Sequence, residues 1–353
     1  MKMLAAYMNE IGKMEIGEVE KPQPKAKEVL VKLDYVGVCG SDGHYFHNGR
    51  CGSYVVTDDC KPFILGHECA GVVVELGEGV TDLQVGDKVA LEPGITCGEC
   101  EFCKSGRYNL CPDVVFLATP PVQGCNMEYI AFPANMCFKL PENVSTLEGA
   151  LVEPLSVGVH AANQGDVNEN DDVLILGAGC IGLVTLLACK AKGAKSITVV
   201  DLEESHLQKA LEMGADSVIN AKEKDTLEEV KRLTSGKGFN KVFETAGSKY
   251  TIAQTPFCVK RGGTIVLVGI AAEAEFPFNF GEIMDKEPTI KTVFRYRYTY
   301  PQAIADIAAG KIDVSTIATH KYAFEDIQKA YDEAYADKKN IIKAVIKVNK
   351  DAE

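Results

Sequence analysis

The sequence predicts an α/β protein of two domains: an irregular β-barrel domain with a cysteine-rich lobe, and a domain built on a doubly wound parallel sheet. The chain has 353 residues, of which 46% are hydrophobic, and single hydrophobic cores rarely grow beyond about 250 to 300 residues. Short alternating segments fill the first part of the chain, whereas a continuous apolar run followed by a glycine pattern appears after Asp171. This change of pattern predicts a change of domain.

From Met1 to about Ile95, hydrophobic and polar residues alternate in short segments separated by turns that contain glycine. The segment with Val29, Val31 and Leu33 is an example. A period of two is typical of strands with one buried face, so we predict a small, irregular β-barrel here. Functional residues in such a domain are expected on the loops between strands.

Three residues in this part of the chain could bind a metal ion. Cys39, His67 and Glu68 bring a thiolate, an imidazole and a carboxylate within thirty residues, and a tetrahedral catalytic zinc accepts these ligands. A single histidine is usually an ordinary surface or core group, so the prediction depends on the features that follow. The H-E-x-x-H motif of zinc proteases is excluded, because Gly71 stands where the second histidine would be.

Four of the thirteen cysteines lie close together in residues 94–112. Cys97, Cys100, Cys103 and Cys111 form a C-x₂-C-x₂-C-x₇-C pattern, and four thiolates can close on one tetrahedral ion, which predicts a structural zinc site. An iron–sulfur cluster is the alternative, because bacterial ferredoxins use C-x₂-C-x₂-C-x₃-C-P, but the last gap differs. A lobe of exposed, reduced cysteines ranks below both.

A nucleotide-binding pattern begins at residues 173–176, an apolar run typical of a strand buried on both faces of a parallel sheet. Gly177, Gly179 and Gly182 follow directly as G-x-G-x-x-G, the pattern that holds a pyrophosphate at a helix N-terminus. The next predicted strand, 196–200, ends in Asp201. A carboxylate there binds ribose hydroxyls and repels a 2′-phosphate, so the sequence favours NAD over NADP.

The last third of the chain has mixed patterns. Residues 295–301 combine cations with aromatic side chains, which we interpret as a strand with one solvated face. Phe324, Ile327, Tyr331 and Tyr335 follow near-helical spacing, which predicts a helix packed on the core. Residues 341–348 are predicted to form a closing strand.

Charge and composition exclude several function classes. The formal net charge is −13, which disfavours binding to nucleic acids and to anionic membranes. The N-terminus has no signal-peptide pattern, and no apolar run approaches the length of a membrane span. We therefore expect a cytoplasmic protein without nucleic-acid or membrane partners.

The whole chain resembles the zinc-dependent medium-chain dehydrogenase/reductase superfamily, and within it the sorbitol (polyol) dehydrogenases. The segments that carry the resemblance are 39–42, 66–68, 97–111, 118–121, 153–158, 177–182 and 294–296. The resemblance implies a GroES-like catalytic domain formed by residues 1–154 and 292–353, with the zinc lobe at 94–112. It implies an NAD-binding Rossmann domain at 155–291.

The resemblance also implies roles for individual residues. Cys39, His67 and Glu68 would take positions at the catalytic zinc, with Glu153 either as a ligand or bonded to the zinc-bound water. Which of the two glutamates is the closer ligand stays open. Glu153, which stands directly before Pro154, could instead cap the helix that follows. The implied cofactors are NAD and two zinc ions per chain, one catalytic and one structural.

Further residues receive a place by the same resemblance. Ser41 would belong to the catalytic group, and it would line the substrate cleft with Tyr45, Phe116, Thr119, Arg295 and Tyr296. The nucleotide would contact Gly177, Gly179, Ile181, Gly182, Asp201, Val268 and Arg295.

The activity implied by the resemblance is reversible, NAD-dependent oxidation of a polyol of the sorbitol or xylitol type at C2 to the ketose, the reaction of an L-iditol 2-dehydrogenase. The alternatives are a threonine, butanediol or secondary alcohol dehydrogenase, and a non-catalytic NAD- and zinc-binding sensor, since fold alone does not guarantee activity. Relatives assemble as homotetramers, which we expect here. The sequence leaves the preferred polyol and its stereochemistry open.

Overall fold

The computed structural model describes residues 1–271, 273 and 275–352, and the chain divides into two compact units. The first unit comprises Met1–Glu153, Tyr300–Ala309 and Ala318–Glu353. The second comprises Pro154–Thr299 and Gly310–Ile317.

The first unit contains most of the short strands. Its strands are β1 (Lys2–Glu10), β2 (Lys13–Glu20), β3 (Glu28–Val38), β4 (Arg50–Cys51), β5 (Tyr54–Val55), β6 (Glu68–Leu76), β7 (Lys88–Leu91), β8 (Gly94–Ile95), β9 (Val115–Phe116), β10 (Tyr129–Pro133) and β11 (Cys137–Lys139), and, after the second unit, β18 (His320–Ala323) and β19 (Ala344–Lys347). The helices in or entering this unit are α1 (Gly40–Asn48), α2 (Glu101–Lys104), α3 (Thr146–Gly165), α9 (Tyr300–Ala308) and α10 (Ile327–Ala336).

A seven-stranded sheet organises this unit, in the order β11-β7-β6-β3-β19-β18, with β10 also paired to β3. The long strand β3 lies at its centre and is buried along almost its whole length. Simple alternation predicts one buried face, whereas both faces of this strand are buried. The strand β6 pairs with β3 in antiparallel register. This pairing brings the start of β6, at Glu68, next to Gly37 near the end of β3.

The second unit contains a six-stranded parallel sheet. Its strands are β12 (Asp172–Leu176), β13 (Ser196–Asp201), β14 (Ser217–Asn220), β15 (Phe239–Glu244), β16 (Val259–Leu267) and β17 (Thr289–Thr292). Its helices are the second half of α3, then α4 (Cys180–Ala191), α5 (Glu204–Glu212), α6 (Thr226–Thr234), α7 (Lys249–Cys258) and α8 (Phe280–Lys286).

The strand order β14-β13-β12-β15-β16-β17 is the 3-2-1-4-5-6 order of a Rossmann fold. The predicted doubly wound sheet is therefore confirmed. The strand β12 lies at its centre and is buried from Val173 to Leu176, as the continuous apolar run predicts.

The predicted domain boundaries differ from the observed units at three places, which are Pro154, residues 292–299 and residues 310–317. The sequence predicts all of these residues in the first domain, but they lie in the second unit. Residues 292–299 belong to the second unit because β17 extends the parallel sheet through Thr292. Residues 310–317 belong to it because the turn Val314–Ile317 packs against α4.

Residues 295–301 do not form the expected strand. Arg295 and Tyr298 both have φ of 54°, a left-handed conformation that interrupts an extended backbone. The predicted C-terminal helix is present as α10, with Ile327 and Tyr331 buried and Tyr335 more exposed. Within the described residues, no helix is both long enough and apolar enough to cross a lipid bilayer, and the expected cytoplasmic location stays a prediction.

Candidate active site

Cys39, His67 and Glu68 come together in the first unit. Cys39 immediately precedes α1, and Glu68 is the first residue of β6. One donor atom from each of the three residues lies within 4.8 Å of those of the other two. His67 and Glu68 are buried, and Cys39 is partly exposed. A soft thiolate, an imidazole and a carboxylate are a donor set that suits zinc, so the residues present fit one ion.

Asp42, a residue without a role in the sequence-based prediction, fixes the orientation of this group. Its Oδ1 lies 3.3 Å from Nδ1 of His67, and its Oδ2 accepts a hydrogen bond from the backbone N–H of Cys39 at 3.1 Å. A carboxylate on Nδ1 would leave Nε2 available to a metal ion. Burial opposes the charged imidazole, but Asp42 and Cys39 outweigh it and raise the pKa of His67 well above its usual value, so protons would compete with a metal ion for this ring.

We expect Asp42→Ala to weaken metal binding at this group by about 10- to 100-fold, because partners of metal-binding histidines hold the ring in place. Competition with a chelator of known affinity measures the effect. Asp58→Ala is the matched control, since its side chain is 95% exposed and pairs only with Lys61 among the described ion pairs. Equal metal affinity in both variants would contradict the role of Asp42.

Glu68 forms a buried salt bridge with Lys343. The ammonium Nζ lies 2.7 Å from Oε1 and 2.9 Å from Oε2 of Glu68, and it also donates to the carbonyl oxygen of Val38. Both side chains are buried, with 4% and 1% of their surface exposed. Glu68 therefore carries a permanent counter-ion beside the metal-binding group.

Glu153 belongs to the same unit and lies inside α3, so it does not cap that helix. It is buried in α3, but among the described residues it does not belong to the group of donor atoms that contains Glu68. Burial raises the pKa of Glu92 to about 7, where Tyr108 opposes the shift and the charge of Glu153 adds to it. Tyr108 donates to Glu92 at 2.7 Å, so a residue of the cysteine lobe reaches the neighbourhood of Glu153.

Three predicted substrate residues lie near the metal-binding group. The rings of Phe116 and His67 are 5.5 Å apart, and the backbone N–H of Thr119 donates to the carbonyl of Phe116. The side chain of Thr119 hydrogen-bonds Tyr45, and burial raises the pKa of Tyr45 far above its usual value. Tyr45 therefore stays a neutral phenol. The half-buried Ser41 lies on α1, the helix that also contains Tyr45, two residues after Cys39.

The four lobe cysteines also converge. The Sγ–Sγ distances are 3.5 Å for Cys100–Cys103 and for Cys97–Cys111, and 3.9 Å for Cys97–Cys103. Sulfur ligands at a zinc–sulfur distance of about 2.3 Å lie about 3.8 Å apart in a tetrahedron, so the lobe fits a structural zinc. Backbone amides of Glu99 and Cys100 lower the pKa of the Cys97 thiol, which favours the thiolate that a metal needs.

The predicted nucleotide residues lie at the carboxyl ends of strands in the second unit. Gly177 has a φ of 106°, and Gly179 immediately precedes α4, whose first turn contains Ile181 and Gly182. A Cβ on Gly182 would lie 2.0 Å from the carbonyl oxygen of Gly177, so glycine is required for this close packing. The carboxylate of Asp201 accepts from the N–H of Ala178 at 2.6 Å, and it therefore faces the glycine loop.

Three further predicted residues, Val268, Arg295 and Tyr296, also belong to the second unit. Val268 follows β16 directly and is buried. Tyr296 is buried and Arg295 is half-buried, in the irregular segment after β17. In α5, Nδ1 of His206 lies 3.8 Å from Oδ1 of Asp201.

The sequence matches two known domain families. Residues 25–142 match the alcohol dehydrogenase GroES-like domain, and residues 180–309 match the zinc-binding dehydrogenase domain. The GroES-like character predicted for the first domain is thereby confirmed.

Similar proteins cover the chain almost completely. A sorbitol dehydrogenase of Bacillus subtilis is 44% identical over 99% of this chain and 98% of its own length. A solved Escherichia coli oxidoreductase/dehydrogenase of unknown specificity matches with a TM-score of 0.95 and 45% identity, over 99% of this chain and 100% of the other. An alcohol dehydrogenase from E. coli CFT073, solved in complex with NADH, matches with a TM-score of 0.90 and 29% identity, over 98% of this chain and 99% of the other. The chain belongs to the zinc-dependent medium-chain dehydrogenase/reductase superfamily, in its sorbitol dehydrogenase family.

Proposed function

We propose that this protein oxidises a polyol of the sorbitol or xylitol type at C2 to the ketose, with NAD as the hydride acceptor. The observation that carries the proposal is the group of Cys39, His67 and Glu68, which lies beside the polar pair Tyr45 and Thr119 in one unit. By resemblance, Glu153 stands where ordinary alcohol dehydrogenases carry a second cysteine, and a carboxylate there makes the site harder, which suits an oxygen-rich substrate.

The metal would be held by Cys39, His67 and Glu68, with Glu153 as a fourth partner through water. When bound, zinc acts as a Lewis acid that lowers the pKa of a hydroxyl. The chain supplies position and charge: Asp42 orients His67, and Tyr45 and Thr119 offer hydrogen bonds to further hydroxyls of the substrate. Holding the reacting groups in place is itself a large part of the rate enhancement.

The proton released from the substrate needs an acceptor, and α1 offers one. Ser41 and His44 are three residues apart on this helix, so their side chains lie on the same face. Burial and the charge of Lys338 lower the pKa of His44, and the neutral imidazole can take a proton from Ser41 near neutral pH. The rest of the His44 side chain is exposed, so the imidazole can pass the proton to solvent.

A substrate panel tests the proposal. Zinc-replete protein with NAD is assayed on sorbitol, xylitol, 2,3-butanediol, threonine and 2-propanol, with NADH absorbance as the readout. We expect the highest kcat/KM for a polyol. Higher values for butanediol or threonine would assign the protein to another branch of the superfamily. Inactivity on every polyol and secondary alcohol would refute the proposal and favour a binding or sensor role.

The choice of NAD over NADP rests on Asp201. Its carboxylate lies at the end of β13 and bonds the glycine loop, where it would accept hydrogen bonds from ribose hydroxyls and repel a 2′-phosphate.

We expect Asp201→Asn to reduce the ratio of kcat/KM for NAD to that for NADP by about tenfold or more, because charged acceptors form stronger hydrogen bonds than neutral ones. Asparagine keeps an oxygen for the N–H of Ala178, so the glycine loop should persist. Asp172→Asn, at the amino end of β12, is the control and should leave the ratio unchanged. An unchanged ratio in Asp201→Asn would contradict the assignment.

We also propose that the protein forms the homotetramer expected from its relatives. In the described part of the chain, β17 is the last strand of the parallel sheet, and an open strand edge is a ready surface for pairing with a second copy. Ile290 on this strand is exposed, as are Phe280 and Met284 on α8. Sedimentation velocity tests the proposal, and a monomer at micromolar concentration would contradict it.

A further inference from the structure

Glu244, at the carboxyl end of β15, is not used in the proposed reaction, yet its side chain is completely buried. Its Oε1 accepts hydrogen bonds from the backbone N–H groups of Ala246 at 3.0 Å and Gly247 at 2.9 Å, and from the hydroxyl of Thr251 at 2.7 Å. No described residue donates to Oε2. A buried carboxylate is costly unless donors surround it, so three donors on one oxygen indicate a specific task.

The turn that begins at Glu244 packs against the end of the neighbouring strand β16. The carbonyl oxygen of Glu244 accepts from the N–H groups of Val268 at 2.8 Å and Gly269 at 3.0 Å. A Cβ on Gly269 would lie 2.2 Å from the backbone nitrogen of Gly247 and 3.0 Å from Oε2 of Glu244. Val268, a predicted nucleotide contact, is therefore held directly by this turn.

The same turn also supports the glycine loop. The backbone N–H and the hydroxyl of Thr245 both donate to the carbonyl of Leu176, at 2.9 Å and 3.0 Å. The hydroxyl also donates to the carbonyl of Gly177 at 3.1 Å. A Cβ on Gly177 would lie 3.0 Å from the nitrogen of Ala246, so turn and loop are in close contact. The amides of this loop are the ones that would hold the pyrophosphate.

We propose that Glu244 is a positioning residue of the nucleotide site: its carboxylate fixes the turn 244–247, and the turn holds the glycine loop and Val268 in the geometry that binds NAD. The inference rests on the proposed function, because it assumes a nucleotide at this sheet edge. Oε1 carries the role as a hydrogen-bond acceptor, so a neutral side chain with an oxygen at the same place can replace it.

The test is NADH binding to the zinc-loaded, full-length protein, followed by fluorescence titration. We expect Glu244→Ala to raise the Kd for NADH about tenfold or more, and Glu244→Gln to stay within about threefold of wild type, because glutamine retains an acceptor for the same three donors. Thr245→Val removes only the hydroxyl and is expected to raise the Kd several-fold. Its matched control is Thr255→Val, which removes a hydroxyl that bonds Ile252 within α7.

Two further measurements separate positioning from a general loss of structure. Zinc content and the KM for the polyol at saturating NAD are expected to stay unchanged in all four variants. Amide hydrogen exchange at residues 245–248 is expected to accelerate in Glu244→Ala and to return to the wild-type rate in Glu244→Gln.

The outcomes distinguish this inference from the proposed function. Wild-type protein that binds neither NADH nor NADPH would contradict both. If wild-type protein binds NADH and Glu244→Ala binds it equally well, only the inference is overturned, and equal weakening by Glu244→Gln and Glu244→Ala also overturns it. Should Glu244→Ala not fold, Thr245→Val decides, and an unchanged Kd in that variant is the contradicting result.

Discussion

Replacing Cys39 with alanine is expected to remove one zinc ion per chain and to reduce polyol oxidation about a thousandfold or more. The thiolate is the softest of the three donors, and without it His67 and Glu68 are a two-residue site for a metal that needs three protein ligands. The Lewis acid is worth several kcal/mol of barrier, and each 1.4 kcal/mol is about tenfold in rate. Metal analysis by mass spectrometry and the initial rate with NAD measure the two effects together.

The control for Cys39→Ala is Cys51→Ala. Burial raises the pKa of the Cys51 thiol, the charges of Cys39 and Asp42 add to the shift and His67 opposes it, so this thiol lies in the same region. Among the described residues, however, Cys51 is not part of the donor group. Cys51→Ala should therefore retain two zinc ions per chain. If Cys39→Ala also keeps two zinc ions and full activity, the metal-binding group has no catalytic role.

The parts of the fold and site that could be predicted from sequence carry their signal within a few residues. The glycine loop after β12 is one such part, because a tight turn and close packing require glycine at Gly177 and Gly182. The lobe cysteines are another, since their spacing alone predicts that the four thiols converge. Asp42 could also have been found, because an acidic residue three positions after a helix N-cap commonly bonds back to it.

The parts that could not be predicted depend on contacts between distant residues. Lys343 bonds Glu68 across 275 residues of sequence, and no local pattern marks a lysine as a buried counter-ion. The strand predicted at residues 295–301 was wrong for a different reason. Its alternating cations and aromatics imitate the period of a strand, whereas the backbone at Arg295 and Tyr298 has positive φ, which side-chain patterns do not reveal.

Lys343→Met is expected to lower the free energy of unfolding of the metal-free protein by about 3 to 5 kcal/mol, because it leaves the buried carboxylate of Glu68 without its counter-ion. The loss should be smaller in zinc-loaded protein. A divalent cation beside Glu68 partly replaces the missing ammonium charge, and a ligand that binds only the folded state stabilises it further. Urea unfolding of the metal-free and zinc-loaded forms gives both values.

The same variant should bind zinc more tightly than wild type, since the carboxylate of Glu68 no longer shares its charge with Lys343. Two further variants isolate the cause. Lys343→Arg keeps the positive charge and should lose much less stability, while Glu68→Gln in the Lys343→Met background removes the uncompensated charge and should recover part of the loss. If Lys343→Met unfolds at the wild-type urea concentration, or if Glu68→Gln recovers none of the lost stability, the pair is not the electrostatic support of the metal site. Its burial would then reflect packing of the lysine chain alone.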